Sequence, residues 1–258
     1  MSFETIHYLL DSKVATITLN RPEKMNSLNR TMRVELMEAL RRAPDEAGVL
    51  VLTGAGNGFC SGQDLADAGS FAEINLQQTL AEEYEPLLKL IYDCPIPTIS
   101  AVNGAAAGAG ANLALAADVV VAARSAVFIE AFARIGLIPD AGGTYWLPRM
   151  AGMARAMGMC LFADPIPAGK AAEWGLIWET VDDDQLADHV TGLANRLANG
   201  PTVAYRLAKQ ALRQSFENDL DSQLALEARL QGEAGRTRDF MEGVSAFLEK
   251  RPAKYEGR

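Results

Sequence analysis

From Cys94 to Ala117 the chain runs 24 residues without a charge, and this stretch constrains the fold more than any other. A segment of that length can cross a bilayer as one helix. Pro95, Pro97, Gly104, Gly108 and Gly110 interrupt it, however, and such residues break a continuous helix interior. It must therefore be buried in pieces: a strand at 97–102, a turn at Asn103-Gly104, and a small-residue helix over 108–116. A chain of 258 residues has the core to take them in, since a domain of this size buries roughly 70–75% of its unfolded surface.

The flanking segments alternate in the same way. Val14-Ala-Thr-Ile-Thr-Leu19 reads as a strand ended by the turn Asn20-Arg21-Pro22, and Asn29 is placed to cap an amphipathic helix through Arg42. The apolar run at 48–53 has the character of a buried parallel strand, and a glycine-rich loop follows it. A helix over 75–92, stopped by Pro95, and a strand at 119–122 continue the pattern, which predicts a layered α/β core. From Gln185 onward the signal is almost wholly helical, with breaks near Gly200-Pro201, Asn218 and Gly235. Apolar Leu207, Ala211, Leu224, Leu230, Phe240 and Phe247 give that tail faces which must dock on the core or on another subunit. The expected division is a core at 1–196 and a helical oligomerisation region at 197–258.

Composition excludes several functions. The net charge of −9 supplies no basic stripe for phosphate neutralisation, which argues against nucleic acid as a partner. Three scattered cysteines without a CxxC spacing, and only two histidines, predict neither a disulfide framework nor a metal site. The first residues, Met1-Ser2-Phe3-Glu4, carry no basic region followed by an apolar stretch, so a cytoplasmic protein is expected, with no membrane span.

Among candidate sites, the loop at 54–59 places Phe59 where a dinucleotide fingerprint needs its third glycine, so it does not read as a Rossmann turn. Cys60 and Ser61 lie near no histidine that a local motif would bring to activate them, and read as structural. The start of the 108–116 helix, with Ala109 and Gly110, offers unpaired N–H groups that a ligand oxygen can approach closely; helix packing explains small residues equally well. Asp140 stands among apolar and small residues at the head of a helix, either as a reactive carboxyl or as an N-cap. Asp118 reads as a buried structural acid or cap, and Asp182-Asp-Asp184 as a solvated turn with a helix cap.

Several segments together resemble one family. Asn20-Arg21-Pro22 with Asn26-Ser27-Leu28, Phe59-Cys-Ser-Gly-Gln-Asp-Leu65, the run 101–118, Gly136-Leu-Ile-Pro-Asp-Ala-Gly-Gly143 and the C-terminal 242–251 are similar, in order, to signature elements of the crotonase (enoyl-CoA hydratase/isomerase) superfamily. The resemblance implies a spiral of ββα units with a C-terminal helical region that mediates trimers, often paired into hexamers. It implies an acyl-CoA thioester substrate, with CoA as part of the substrate and no separate cofactor. The thioester oxygen would be held by two backbone N–H groups, on the motif match those of Ser61 and Ala109. Gln63, Asp64 and Leu65 would lie near the CoA adenine, and Arg21 and Lys24 near its phosphates.

The departures from the family pattern point to the reaction. The resemblance puts Asn112 and Phe132 where hydratases carry two water-activating glutamates, and a phenyl ring moves no proton. It puts Asp140 where dienoyl-CoA isomerases carry an aspartate, which suits a single carboxylate that shuttles a proton beside an oxyanion hole. Together with Ala172-Glu-Trp-Gly-Leu-Ile-Trp178, these motifs look most like the 1,2-epoxyphenylacetyl-CoA isomerases of phenylacetate breakdown, which convert a ring epoxide to an oxepin-CoA. The alternatives are an enoyl-CoA hydratase, with Glu130 as an acid if the register is shifted, and an RNA-binding relative.

Overall fold

A computed structural model of the chain describes residues 3–68 and 75–257. Met1 and Ser2, at the head of the segment read for a leader, lie outside the described residues. Two sheets form the centre. In the larger, the strand order is β1 (Ile6–Asp11), β2 (Val14–Leu19), β3 (Val49–Gly54), β5 (Thr98–Val102), β7 (Val119–Ala123) and β10 (Glu179–Val181). Only β1 runs antiparallel, paired to β2 as a hairpin. The smaller sheet has the order β4 (Gly58–Cys60), β6 (Ala105–Ala107), β8 (Val127–Ile129) and β9 (Ile166–Pro167).

The chain visits the two sheets in turn. Each of β3, β5 and β7 in the large sheet is followed by β4, β6 or β8 in the small one, and then by helix. The first return is α1 (Arg30–Glu46), where the Asn29 side chain accepts the Met32 N–H as an N-cap. After β4 come α2 (Leu76–Thr79), a π-helical stretch at Leu80–Tyr84, and α3 (Glu85–Tyr92). After β6 comes α4 (Ala109–Leu115), and after β8 a 3-10 turn at Ala131–Ile135, α5 (Gly143–Met150) and α6 (Met153–Phe162). This is the expected spiral of ββα units. All five residues of β5 and all seven of α4 are buried, so the 24-residue uncharged stretch is an interior strand, a short second strand and an interior helix. The short strand β6 fills the residues between the expected turn at Asn103-Gly104 and the expected helix over 108–116.

The tail is helical: α7 (Ala168–Glu173), α8 (Leu186–Ala198), α9 (Thr202–Gln214), α10 (Leu220–Ala234) and α11 (Arg238–Glu249). Leu186, Val190, Ala194 and Ala198 of α8 belong to the main core, while Leu207, Leu226 and Leu230 form a separate small cluster between α9 and α10. Phe240, Met241, Phe247 and Leu248 of α11 stay exposed on the chain by itself. No helix among the described residues is long and apolar enough to cross a membrane.

Candidate active site

The site is assembled around the N-terminus of α4. Asn26, fully buried, staples the preceding loops: its Oδ1 accepts the Arg21 N–H at 2.9 Å, and its Nδ2 donates to the Ala55 and Gly58 carbonyls at 2.9 Å each. Arg21 pairs with Asp64 at 2.8 Å and donates to the Ser27 carbonyl at 2.7 Å. Burial works against the Asp64 charge, yet the bond from Arg21 prevails and holds its carboxyl below the usual range. The guanidinium is thus spent within the protein. Of the two cations expected near the CoA phosphates, Lys24 stands exposed on the surface whereas Arg21 braces the loop.

One donor expected from the resemblance is also spent. The Ser61 N–H donates to the Met25 carbonyl at 3.0 Å, so Ser61 does not offer it to a ligand. Two residues on, the backbone geometry reverses. Leu28 takes the Gly62 carbonyl and the Asp64 N–H in a parallel bridge, which turns the intervening Gln63 N–H to the opposite edge, toward β6 and α4. That N–H has no backbone acceptor among the described residues, and neither has the N–H of Ala109 in the first turn of α4. Gly62 brings the two segments together: with φ at +93°, a Cβ there would lie 2.8 Å from the Ala107 carbonyl oxygen and 3.4 Å from the Ala109 nitrogen. At Gly110 a Cβ would lie 2.3 Å from the Cys60 carbonyl oxygen, so this glycine lets α4 pack closely onto β4.

The Gln63 side chain is held from behind. Its Oε1 accepts from the Tyr84 hydroxyl and from Arg33 Nη1 at 3.1 Å, while Arg33 pairs with Glu83 at 2.6 Å and donates to the Leu28 carbonyl. The sequence reading passed over Arg33 and Tyr84. Their signal was an arginine on the buried stripe of α1, beside Met32, Leu36 and Leu40, where a cation needs a partner.

One turn along α4 from Ala109, the buried side chain of Asn112 reaches Asp140, which precedes α5. Its Nδ2 donates to the Asp140 carbonyl at 2.9 Å and lies 3.3 Å from Glu130 Oε2. Asp140 is not the N-cap of α5, a position Gly142 fills. Its carboxyl is half-buried with Oδ1 unpartnered, and desolvation pushes it up to about 6. Glu130 is 1% exposed; burial, opposed by the Asn112 bond and reinforced by the Asp140 charge, pushes it up to about 7. Phe132 is buried with its ring over Gly108, where a Cβ would meet Cζ at 3.6 Å, so an apolar wall borders the donors. Burial pushes the Cys60 thiol up to about 12, which removes it as a nucleophile. Leu65 is exposed at the loop edge. The structure thus brings Ala109, Gly110, Asn112, Phe132, Gln63 and Asp140 around one point.

Two unengaged amide donors beside a carboxyl poised near neutrality define an acyl-transfer or enolate-forming site. The chain belongs to the enoyl-CoA hydratase/isomerase family, whose model matches residues 10–258, and it is an enzyme of the crotonase superfamily. It is 60% identical over 258 residues to a Rhodobacter capsulatus protein named "Probable enoyl-CoA hydratase", with both chains covered in full. It is 49% identical over 254 residues to the 1,2-epoxyphenylacetyl-CoA isomerase of Escherichia coli, covering 96% of this chain and 97% of that one. The crystal structure of a Bacillus anthracis enoyl-CoA hydratase superposes with a TM-score of 0.91 at 33% identity, covering 99% of this chain and all of the other.

Proposed function

We propose that the protein is an acyl-CoA isomerase, with 2-(1,2-epoxy-1,2-dihydrophenyl)acetyl-CoA as its substrate and a ring-expanded oxepin-CoA as product. The observation that carries this reading is the Asp140 carboxyl, half-buried and pushed up to about 6, whose backbone is held by Asn112, the residue one helical turn along α4 from the unengaged Ala109 amide. In the proposed reaction the thioester oxygen accepts from the Gln63 and Ala109 N–H groups. The carbon–carbon bond shared by the epoxide and the six-membered ring opens electrocyclically, its electron pair joining the ring double bonds to give the seven-membered oxepin. Asp140 takes the proton from the carbon next to the thioester, the electron pair moves onto the oxygen as an enolate, and the proton returns at a ring carbon, which shifts the double bond out to the side chain. A double-bond shift in an enoyl-CoA follows the same proton-transfer course. Removal of one such donor typically costs about 10²–10³ in rate. Phe132 supplies an apolar wall suited to an aryl or alkenyl acyl group. Proton transfer of this kind draws on no separate cofactor, CoA arriving with the substrate.

The 49% identical isomerase supports the specific substrate. A hydratase is the second reading, favoured by the name of the 60% identical relative and by Glu130, which sets a second carboxyl beside Asn112. Matched rates on the phenylacetyl-CoA epoxide, a 3-enoyl-CoA, and a 2-enoyl-CoA in water decide between them. Isomerisation far above hydration, lost in Asp140→Asn, is the expected result; dominant hydration assigns the chain to the second reading.

We also propose a homotrimer or a dimer of trimers, supported by the exposed apolar residues of α11. Sedimentation of the full chain tests it, and a monomer at micromolar concentration excludes it.

A further inference from the structure

Among the described residues, four buried side-chain atoms lack a partner: Ser100 Oγ, Asn112 Oδ1, Glu130 Oε1 and Asp140 Oδ1. Three of the four meet in the site. Glu130 is buried more deeply than Asp140, and among the described residues its one side-chain hydrogen bond is the 3.3 Å contact from Asn112 Nδ2. That nitrogen also holds the Asp140 carbonyl, so one amide links the two acids. The groups that face Glu130 are Asp140 from the loop before α5, Cys160 from α6 and the neutral Asn112 from α4. On its own turn, Arg134 donates away from it to the Ala163 carbonyl. Among the described residues no cation compensates a charge on Glu130, and an uncompensated buried carboxylate takes up a proton instead.

Resting on the isomerase reading above, we propose that Glu130 is a positioning residue for Asp140: protonated, it orients Asn112 and keeps a second negative charge out of the pocket while the enolate forms. Its ionisation shuts the reaction down. When Asp140 takes the substrate proton, the negative charge passes to the thioester oxygen, and an ionised Glu130 nearby opposes that charge in a medium that screens it poorly. The working form is ionised Asp140 with neutral Glu130. The order fits the burial, since Glu130 is 1% exposed and Asp140 only half-buried, and the charge of Asp140 further opposes ionisation of Glu130.

The test is the pH profile of isomerase kcat/KM for wild type, Glu130→Gln and Glu130→Leu, with Asp140→Asn alongside. Wild type should rise on an acid limb and fall on an alkaline one, losing about tenfold one pH unit above the Glu130 ionisation. Glu130→Gln, which still accepts from Asn112 but carries no charge, should lose the alkaline limb and keep the acid limb. Glu130→Leu, which cannot accept, should lose kcat across the whole range with little change in KM. Substrate ionisations are common to all the enzymes and cancel in the comparison. An alkaline limb intact in Glu130→Gln overturns the inference. Should neither variant fold, infrared spectra of wild type carrying 13C-carboxyl glutamate replace them. A protonated glutamate band at about pH 6 that vanishes in the alkaline range supports the inference, and its absence overturns it. If Asp140→Asn remains fully active, it is the isomerase reading that fails; if Asp140→Asn is inactive while Glu130→Gln keeps the wild-type profile, this inference fails alone.

Discussion

Asn112 Nδ2 donates to the backbone carbonyl of Asp140 at 2.9 Å, across 28 positions of sequence. The same carbonyl accepts the Gly143 N–H at 2.8 Å, so the approach to α5 is pinned at Asp140. Ala141 and Gly142, both in the left-handed region at φ +49° and +84°, then turn the chain into the helix. The position of the proposed proton shuttle is thereby tied to the helix that carries the proposed oxyanion donor.

Replacing Asn112 by leucine keeps its approximate size and deletes that tie. Asp140 retains its bond to Gly143 but can shift by a fraction of an ångström, and misplacement on the scale of 1 Å costs about 10²-fold in rate. Asn112→Leu should lower kcat by up to that factor with KM nearly unchanged. Equal losses in kcat and in acyl-CoA affinity would show that Asn112 shapes the binding cleft instead.

Asp140→Asn, nearly isosteric and without basicity, should lower isomerase turnover by about 10²–10⁴. Acyl-CoA affinity measured by calorimetry should stay close to wild type, because the two amide donors are untouched. Full activity in this variant, with loss in Glu130→Gln, would move the base to Glu130.

Much of this arrangement was legible in the sequence, and the part that was not has identifiable physical causes. The Asn29 cap, the strand at Val14–Leu19 and the buried uncharged stretch all follow from local rules. The hairpin strand β1 was missed because, as an edge strand, it leaves Leu9 and Leu10 exposed and so breaks the alternation expected of a half-buried strand. The motif places a donor at Ser61, whose N–H the Met25 carbonyl occupies; a motif identifies the loop, while only the ladder with Leu28 decides which amide faces which edge. Asn112 was read as the loss of a glutamate. What it gained, a hold on the Asp140 backbone, is a contact between distant segments that no local pattern encodes.

Gly62 offers a test of the donor assignment. An alanine there must adopt φ +93° and fit its Cβ 2.8 Å from the Ala107 carbonyl oxygen, so the loop has to move away from α4. Strain of this kind costs about 1–3 kcal/mol. Gly62→Ala should therefore unfold at lower temperature and, with the Gln63 N–H displaced, lose about 10²–10³ in kcat. Wild-type kcat in a variant with that stability loss would detach Gln63 from the oxyanion.

Burial of the two acids makes stability depend on pH, with a definite sign. Folded Glu130 binds its proton more tightly than in the unfolded chain, about 7 against 4.5, so the folded state holds the extra proton in that window. Stability from this group is complete below the unfolded value and is lost as pH rises through the folded one, roughly 3 kcal/mol in all. Asp140 acts in the same direction between 3.8 and about 6. Glu130→Gln should flatten this decline, so that the variant gains on wild type in denaturant titrations as pH rises from about 4.5 to about 7, and the gain levels off above that. A parallel decline in both proteins would contradict it.

The C-terminal helices are tied to the core through Asp118, the acid that ends the uncharged stretch. Its Oδ2 accepts the Thr98 N–H at 2.8 Å and the Lys209 ammonium at 2.7 Å, and its Oδ1 accepts from Arg213 at 2.7 Å. Lys209 further donates to the Cys94 and Ile96 carbonyls, so α9 is held to the start of β5 by one carboxylate and two backbone oxygens. The side chains of Asp118 and Lys209 are 15% and 12% exposed, which keeps solvent from replacing a lost partner. Breaking a buried pair from one side costs about 3–5 kcal/mol, because the remaining charge stays buried and unpaired. Asp118→Asn leaves two cations facing a neutral amide and should lower stability by that order, whereas Lys209→Met, which leaves the carboxylate paired with Arg213, should cost less. Amide exchange localises the effect: protection in α9, α10 and α11 should fall before that of β5 and β7. Uniform loss across the chain would mean that Asp118 supports the sheet through Thr98 and not the tail.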